Sequence, residues 1–254
     1  MPDLLKGKTA VIAGIANKWS LAWGIAESFS REGASLILTY LNEKQRDTIS
    51  SITEHMPVAK MLPCDVTKDE EIAALADSLR GLGQPVDALV HSLAFANRED
   101  LSRPFVETQR DGFLLAQNVS AYSLVAMSRA VAPAMIHGGS IMTLTYLGAT
   151  RVRPNYNVMG VAKAALEASV RYLANDLGPA KIRVNAISAG AVKTASARAV
   201  KDLSVMLDAT RDQSPLRHVT EAGEVGDTAA FLASDLSRGL TGNILFVDSG
   251  MQLL

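Results

Sequence analysis

Lys8-Thr-Ala-Val-Ile-Ala-Gly14 is a short, unbroken apolar run that ends on a glycine. A loop follows, then a helix from about Ser20 to Arg31, closed by Glu32-Gly33-Ala34 with Gly33 suited to the C′ position. Ser35-Leu-Ile-Leu-Thr-Tyr40 is a second continuous apolar run, of the kind that parallel sheets cover on both faces. Strand, helix and strand in this order form the repeating unit of an α/β fold, and the rest of the chain continues it.

A polar helix is expected from Asn42 to about Glu54 and a short third strand around Lys60 to Leu62. Thr67 is placed to cap a helix from roughly Lys68 to Leu82. Val86 to Ser92 reads as a fourth strand and Arg110 to Ile136 as a long helical region interrupted near Pro133. Gly138-Gly139 resets the chain into a strand from Ser140 to Leu144, and a helix runs from near Tyr156 to Leu177-Gly178. Ile182 to Ser188 is a sixth strand, Glu221 opens a helix to Ser234, and Asn243 to Asp248 is the seventh strand. With right-handed crossovers expected, this is a single-domain, Rossmann-like, doubly wound parallel sheet of about seven strands with helices on both faces. No linker or internal repeat divides residues 1–254. The weakly apolar stretch at about 194–210 is expected to form a substrate-binding lid over that one domain.

Composition narrows the function. Of 254 residues, 48% are hydrophobic, enough for a substantial core, and the net charge is −1 with both signs interspersed. That argues against a nucleic-acid or membrane surface, since counterion release needs a concentrated basic patch. One cysteine, Cys64, rules out an internal disulfide, and the 4 histidines lack ligand spacing, so no metal is expected. No signal peptide and no apolar run of membrane-spanning length is visible, which makes a cytoplasmic location the expectation.

Chemistry concentrates in Thr143-Leu-Thr-Tyr-Leu-Gly…Pro-Asn-Tyr-Asn-Val-Met-Gly-Val-Ala-Lys163. At about 100° per residue, Tyr156, Met159, Gly160 and Lys163 share one helix face, the lysine about 10 Å along the axis from the tyrosine. A lysine among Val158, Val161, Ala162, Ala164 and Ala165 is anomalous. Apolar surroundings lower a lysine pKa and a neighbouring cation lowers that of a phenol, which suits the pair to proton chemistry. The alternative is a core-facing helix with both side chains snorkelling to its edge.

Ligands of such folds sit outside the carboxyl ends of the strands. The first such loop, Gly14 to Gly24, is not a G-x-G-x-x-G fingerprint. It keeps Gly14 for a tight turn, Ser20 and the first-turn N–H groups for a pyrophosphate, and Gly24 for close helix–sheet packing. Asp65, in Cys64-Asp65-Val66, can accept from an adenine amino group or cap the following helix. Ser92-Leu93-Ala94 lets the backbone pass close to a ribose. Tyr40-Leu41-Asn42 stands where an acidic residue would normally hold the ribose 2′-OH, with Lys44 and Arg46 close behind, and NADH rather than NADPH is the favoured cofactor.

On these residues the chain resembles the short-chain dehydrogenase/reductase superfamily, and within it the NADH-dependent enoyl-acyl-carrier-protein reductases of bacterial type II fatty acid synthesis. The resemblance covers nearly the whole chain. It rests on Gly14…Ser20…Gly24, Cys64-Asp65-Val66, His91 to Ala96, Arg110-Asp-Gly-Phe, Leu144 to Gly148, Tyr156-x6-Lys163, Arg183 to Gly190, and Gly226-Asp-Thr to Val247-Asp-Ser-Gly250. Ketoreductases of the superfamily carry Tyr-x3-Lys, and here the residue four after Tyr156 is Gly160. They also carry a serine about a dozen residues before the tyrosine; Thr143 and Thr145, which stand there, read as strand residues.

The resemblance implies hydride transfer from NADH to C3 of a trans-2-enoyl thioester carried by acyl carrier protein. Tyr156 would donate to the developing enolate oxygen, Lys163 would hold the nicotinamide ribose, and Tyr146 would share the catalytic site. Cofactor contacts would include Gly14, Ser20, Leu21, Asp65, Val66, Ser92, Leu93, Ala94, Lys163, Val192 and Thr194, with Ala191 at the nicotinamide end. The acyl group would meet Ala96, Tyr146, Tyr156, Met159 and Ala197. A homotetramer is implied, the apolar helices around Ala116 to Ala134 and Ala164 to Ala174 being free to pack between subunits. Ala191 replaces the family's usual proline, and Leu41 stands where some members have a polar residue. Two other readings stand beside this one: a 3-oxoacyl reductase of the same superfamily, and a non-catalytic NAD-binding protein.

Overall fold

A computed structural model describes residues 3–192 and 203–254. In chain order the elements are β1 (Thr9–Ala13), α1 (Leu21–Arg31), β2 (Ser35–Tyr40), α2 (Glu43–Ile52), β3 (Val58–Pro63), α3 (Asp69–Arg80), β4 (Ala88–His91) and the short α4 (Arg98–Ser102). Then come α5 (Arg110–Gln117), a π-helical turn (Asn118–Tyr122), α6 (Ser123–Val131), β5 (Gly139–Thr145), α7 (Asn157–Leu177), β6 (Ile182–Ala189), α8 (Leu203–Gln213), α9 (Ala222–Ala233) and β7 (Ile244–Val247).

The strands form a seven-stranded sheet in the order β3-β2-β1-β4-β5-β6-β7, with every pair parallel. All carboxyl ends therefore lie along one edge, and the chain reverses its winding between β1 and β4. Alternate strand residues feed two cores. Val11, Ile37, Leu89, Ile141 and Val184 face one side under α3, α6 and α7. Ala10, Ile12, Leu36, Leu38, Val90 and Met142 face the other, under α1 and α9. Burial on both faces is why these strands read as continuous apolar runs rather than alternating ones.

Two expectations need correction. Thr67 does not cap α3: its N–H and Oγ1 both donate to Asp65 Oδ1, and the N-cap position is Lys68. The helical region before β5 breaks twice. It breaks at the π-helical turn and again where a 3₁₀ turn, Ala132–Ala134, accommodates Pro133, which has no N–H to give. The helix ending near Ser234 is sealed at its start by a capping box, in which Glu221 and Glu224 each accept from the other's backbone N–H.

Gly24 serves a different purpose from the one expected. A Cβ there would lie 2.8 Å from the Cβ of Ala222, the first residue of α9, so the glycine lets two helices meet rather than a helix and the sheet. Gly226 answers from α9, where a Cβ would approach the Gly24 carbonyl oxygen to 2.6 Å. Backbone cannot yield as a side chain does, so Gly226→Ala must push α1 and α9 apart. Overpacking of this kind costs about 1–3 kcal/mol, which urea unfolding would register as a lower midpoint; an unchanged midpoint would show that the contact is slack.

Candidate active site

Tyr156 is the N-cap of α7, and the Pro154-Asn155-Tyr156-Asn157 sequence explains how it gets there. Both flanking asparagines have positive φ, 57° at Asn155 and 34° at Asn157, a region asparagine tolerates better than most residues. Asn157 Nδ2 also donates to the carbonyls of Leu101 and Arg103, at 3.1 and 2.7 Å, fastening the start of α7 to the end of α4. The Tyr156 ring then packs edge-on against Tyr146, with centroids 5.0 Å apart and an interplanar angle of 69°. Two glycines make room. A Cβ on Gly148 would fall 2.5 Å from the Tyr156 ring, and one on Gly160 would meet the Gly148 carbonyl at 2.8 Å.

Lys163, two turns into α7, is 6% exposed. It does not snorkel. Its Nζ donates to the Leu144 carbonyl at the end of β5, at 2.7 Å. Burial holds its pKa down to about 8, opposed by the nearby carboxylate of Glu167. The phenol of Tyr156 shifts the other way from expectation. Burial raises its pKa, and the neighbouring Tyr146 and Glu167 push it further up. Desolvation of the phenolate outweighs any help from the lysine, so Tyr156 is a neutral hydrogen-bond donor. Tyr146 is likewise raised by burial, with Arg153 acting in the opposite sense.

A buried polar network behind the pair went unread in the sequence. His91, fully buried at the end of β4, lies 2.8 Å from both Thr143 Oγ1 and Ser123 Oγ. Ser123 Oγ also donates to the Val119 carbonyl and Thr143 Oγ1 to the His91 carbonyl, and the ring tautomer sets which nitrogen donates and which accepts. Burial first, then the charge of Lys163, pushes the His91 pKa down to about 3, and the ring stays neutral. Thr145 donates to Glu167 Oε1 at 2.7 Å. Thr143 and Thr145 are thus strand residues that also hold polar groups. Within the π-helical turn, Ser120 Oγ bonds both the N–H and the carbonyl of Phe95, fixing the loop that carries Ala96. Local sequence offers little signal for these contacts, because each joins residues far apart in the chain.

The remaining expected positions collect on the same edge of the sheet. Gly14 follows β1 with φ 105°, and a Cβ there would overlap the Ser92 carbonyl at 2.0 Å, so the loops after β1 and β4 touch. Ser20 opens α1 but spends its Oγ on the Asn17 carbonyl, at 2.6 Å, with Leu21 the first helical residue. Asp65 and Val66 follow β3, the Asp65 carboxylate accepting from Thr67 and held below the usual carboxylate range by those bonds and Lys68 despite its burial. Ser92, Leu93 and Ala94 follow β4, and Ala191 and Val192 follow β6. Gln45 ties two of these loops together, accepting from Leu41 N–H and donating to the Ile15 carbonyl. Met159 is buried beside Ser120, and Ala96 lines a cavity of about 710 Å³ that also touches Phe95 and Asp100. Thr194 and Ala197, and most of the stretch expected to form a lid, lie outside the described residues; α8 is its described remainder.

The residues present fit a dinucleotide. A second cleft, of about 470 Å³, runs between Lys18 and Trp19 of the first loop and Val192, Thr220 and Ala222. The Thr220 hydroxyl is buried beside Gly190 with no partner among the described residues, which leaves it for a bound group. Lys163 uses one of its three donors on Leu144, which leaves two for ribose hydroxyls.

Comparison with known proteins decides the relationship. Residues 14–252 match a family model described as enoyl-(acyl carrier protein) reductase. The chain belongs to that family. It is similar to enoyl-(acyl-carrier-protein) reductase (NADH) FabI of Bacillus cereus, 52% identical over 254 residues that make up 99% of each chain. The corresponding Bacillus subtilis enzyme is 50% identical over 98% of this chain and 97% of its own. A crystal structure of the Bacillus cereus reductase with NADP+ and an indole naphthyridinone superposes with a TM-score of 0.97, covering 99% of both chains. The Tyr156-x6-Lys163 pair on which the resemblance rests is the pair that this fold brings to the sheet edge.

Because Gly148 leaves only enough space for the Tyr156 ring, Gly148→Ala is expected to displace the phenol and lower turnover by more than tenfold while NADH still binds. Wild-type turnover in that variant would remove the glycine from the account of the site.

Proposed function

We propose that this chain reduces the trans-2 double bond of enoyl thioesters carried by acyl carrier protein, in fatty acid elongation. The observation that carries the reading is the placement of Tyr156 at the start of α7 and the buried Lys163 two turns along it, at the sheet edge where the loops after β1, β3, β4 and β6 collect. Bound NADH supplies the hydride that reaches C3 of the substrate. As C3 gains the hydride, negative charge grows on the thioester oxygen. Tyr156, neutral and desolvated, donates a hydrogen bond to that oxygen, worth more there than in water, and a proton taken up from solvent at C2 returns the enolate to the saturated thioester. Lys163 holds the nicotinamide ribose and keeps positive potential over the site. Tyr146 braces the Tyr156 ring and lines the acyl site with Met159 and Ala96. Gly14, Ser20, Leu21, Asp65, Val66, Ser92, Leu93, Ala94, Val192 and Thr194 contact the dinucleotide, and the stretch at about 194–210, Ala197 included, closes over the acyl chain. The spacing is consistent with this reaction: with lysine at i+7 rather than i+4, the hydroxyl lies about one more helical turn from the ribose, which suits an enolate oxygen removed from the carbon that takes the hydride rather than the oxygen of a carbonyl being reduced.

NADH oxidation with a trans-2-enoyl thioester, run beside a 3-oxo thioester and beside NADPH, tests the reading. Turnover of the enoyl substrate with NADH is expected. Faster turnover of the 3-oxo compound would overturn it, and NADH binding without any turnover would leave a binding protein. Tyr156→Phe should cut kcat by about 100- to 1,000-fold, the usual effect of losing one oxyanion donor, with NADH affinity nearly intact. Lys163→Ala should weaken NADH binding instead. Equal loss of affinity in both variants would refute this division of roles.

The same proposal extends to assembly as a homotetramer. The alanines of α5 to α7 mostly turn inward; what these helices leave exposed is Leu114, Tyr122, Val161 and Tyr172, the last at 75%. Light scattering at micromolar concentration should give four times the chain mass, and a monomer would contradict it.

A further inference from the structure

We propose that Glu167 is a positioning residue for the reaction, a buried anion that keeps Lys163 charged where it must hold the cofactor ribose. The inference rests on the reductase reading above and extends it to a residue outside the Tyr–Lys pair.

Lys163 and Glu167 stand one turn apart on α7, an i, i+4 pair on one face, and both are nearly inaccessible, at 6% and 9%. Consecutive residues of β5 hold them. The Leu144 carbonyl accepts from Lys163 Nζ, and Thr145 Oγ1 donates to Glu167 Oε1. Among the described residues Thr145 is the one donor to the Glu167 carboxylate and no ion pair closes on it, so it is a costly group unless a charge further off offsets it. The ammonium is that charge.

The titratable groups facing Lys163 are Tyr156 and Glu167 on its own helix, His91 at the end of β4, and Tyr146 beyond β5. His91 is neutral, held by Ser123 and Thr143, and both phenols are neutral as well. Glu167 is the one anion among these four. Burial alone drives the lysine toward its uncharged form, and Glu167 opposes that drift. An uncharged lysine would still donate hydrogen bonds to a ribose but would lose its attraction for the dinucleotide and its field over the enolate. The carboxylate therefore sets the pH up to which the site works.

Glu167→Gln tests this, since the amide still accepts from Thr145 while the charge is gone. NADH affinity by fluorescence and kcat/KM for an enoyl thioester are measured from neutral to alkaline pH in wild type and variant. In both quantities the alkaline limb is expected to move to lower pH by about one unit or more, the usual effect of removing an opposite charge at this range, with most of the loss at alkaline pH. A folded variant whose limbs stay at the wild-type pH overturns the proposal, and so does a loss of activity equal at every pH. If Glu167→Gln fails to fold by circular dichroism, Glu167→Met removes the charge with a side chain of similar length that needs no hydrogen-bond partner, and should move the limb in the same direction. An unmoved limb there is equally fatal. Wild type that binds NADH but does not turn over would sink the reductase reading instead, while the binding limb still reports on Glu167.

Discussion

A charged amine sealed between a helix and the end of a strand is the constraint on which the rest of this structure depends. Lys163 can stay there only because Leu144 offers a carbonyl, Thr145 fixes an anion beside it, and His91 is kept from competing as a second cation. Those partners come from β4, β5 and α7, so the sheet must be in register before the lysine is tolerable. The site is a product of tertiary structure rather than of a loop.

Parallel strands do the rest of the assembly. Because every strand points the same way, the residues that follow β1, β3, β4, β5 and β6 all arrive at one edge. Gly14 against Ser92, and Gln45 between Leu41 and Ile15, then draw neighbouring loops together. Phosphate, ribose and nicotinamide need different neighbours spread over a long molecule, and an edge lined by successive loops provides them in order.

What could be read from the sequence follows from how local each feature is. β1, β2 and β5 are covered on both faces and show as unbroken apolar runs. β3 lies at the edge of the sheet, with Lys60 exposed and Pro63 at its end, and its bounds were drawn too short. The π-helical turn at Asn118–Tyr122 has the composition of the helices on either side and left no mark, whereas Pro133 announced the second break. Tyr156 and Lys163 were legible because a lysine among alanines and valines is conspicuous. Glu167 and Thr145 were not, since a glutamate on a helix and a threonine in a strand are each unremarkable alone. The direction of the Tyr156 shift is illegible in the sequence for a similar reason: a cation nearby can be inferred from spacing, but depth of burial cannot, and burial is the larger effect.

The crowding at Gly160 bears on how such enzymes can diverge. Related reductases with the shorter Tyr-x3-Lys spacing place their lysine at this position, and here even a methyl group would strike the Gly148 carbonyl at 2.8 Å. A mutation installing that lysine would have to dislodge the turn that seats Tyr156 before it could serve any new chemistry. Passing from one spacing to the other therefore takes more than a single substitution at this position.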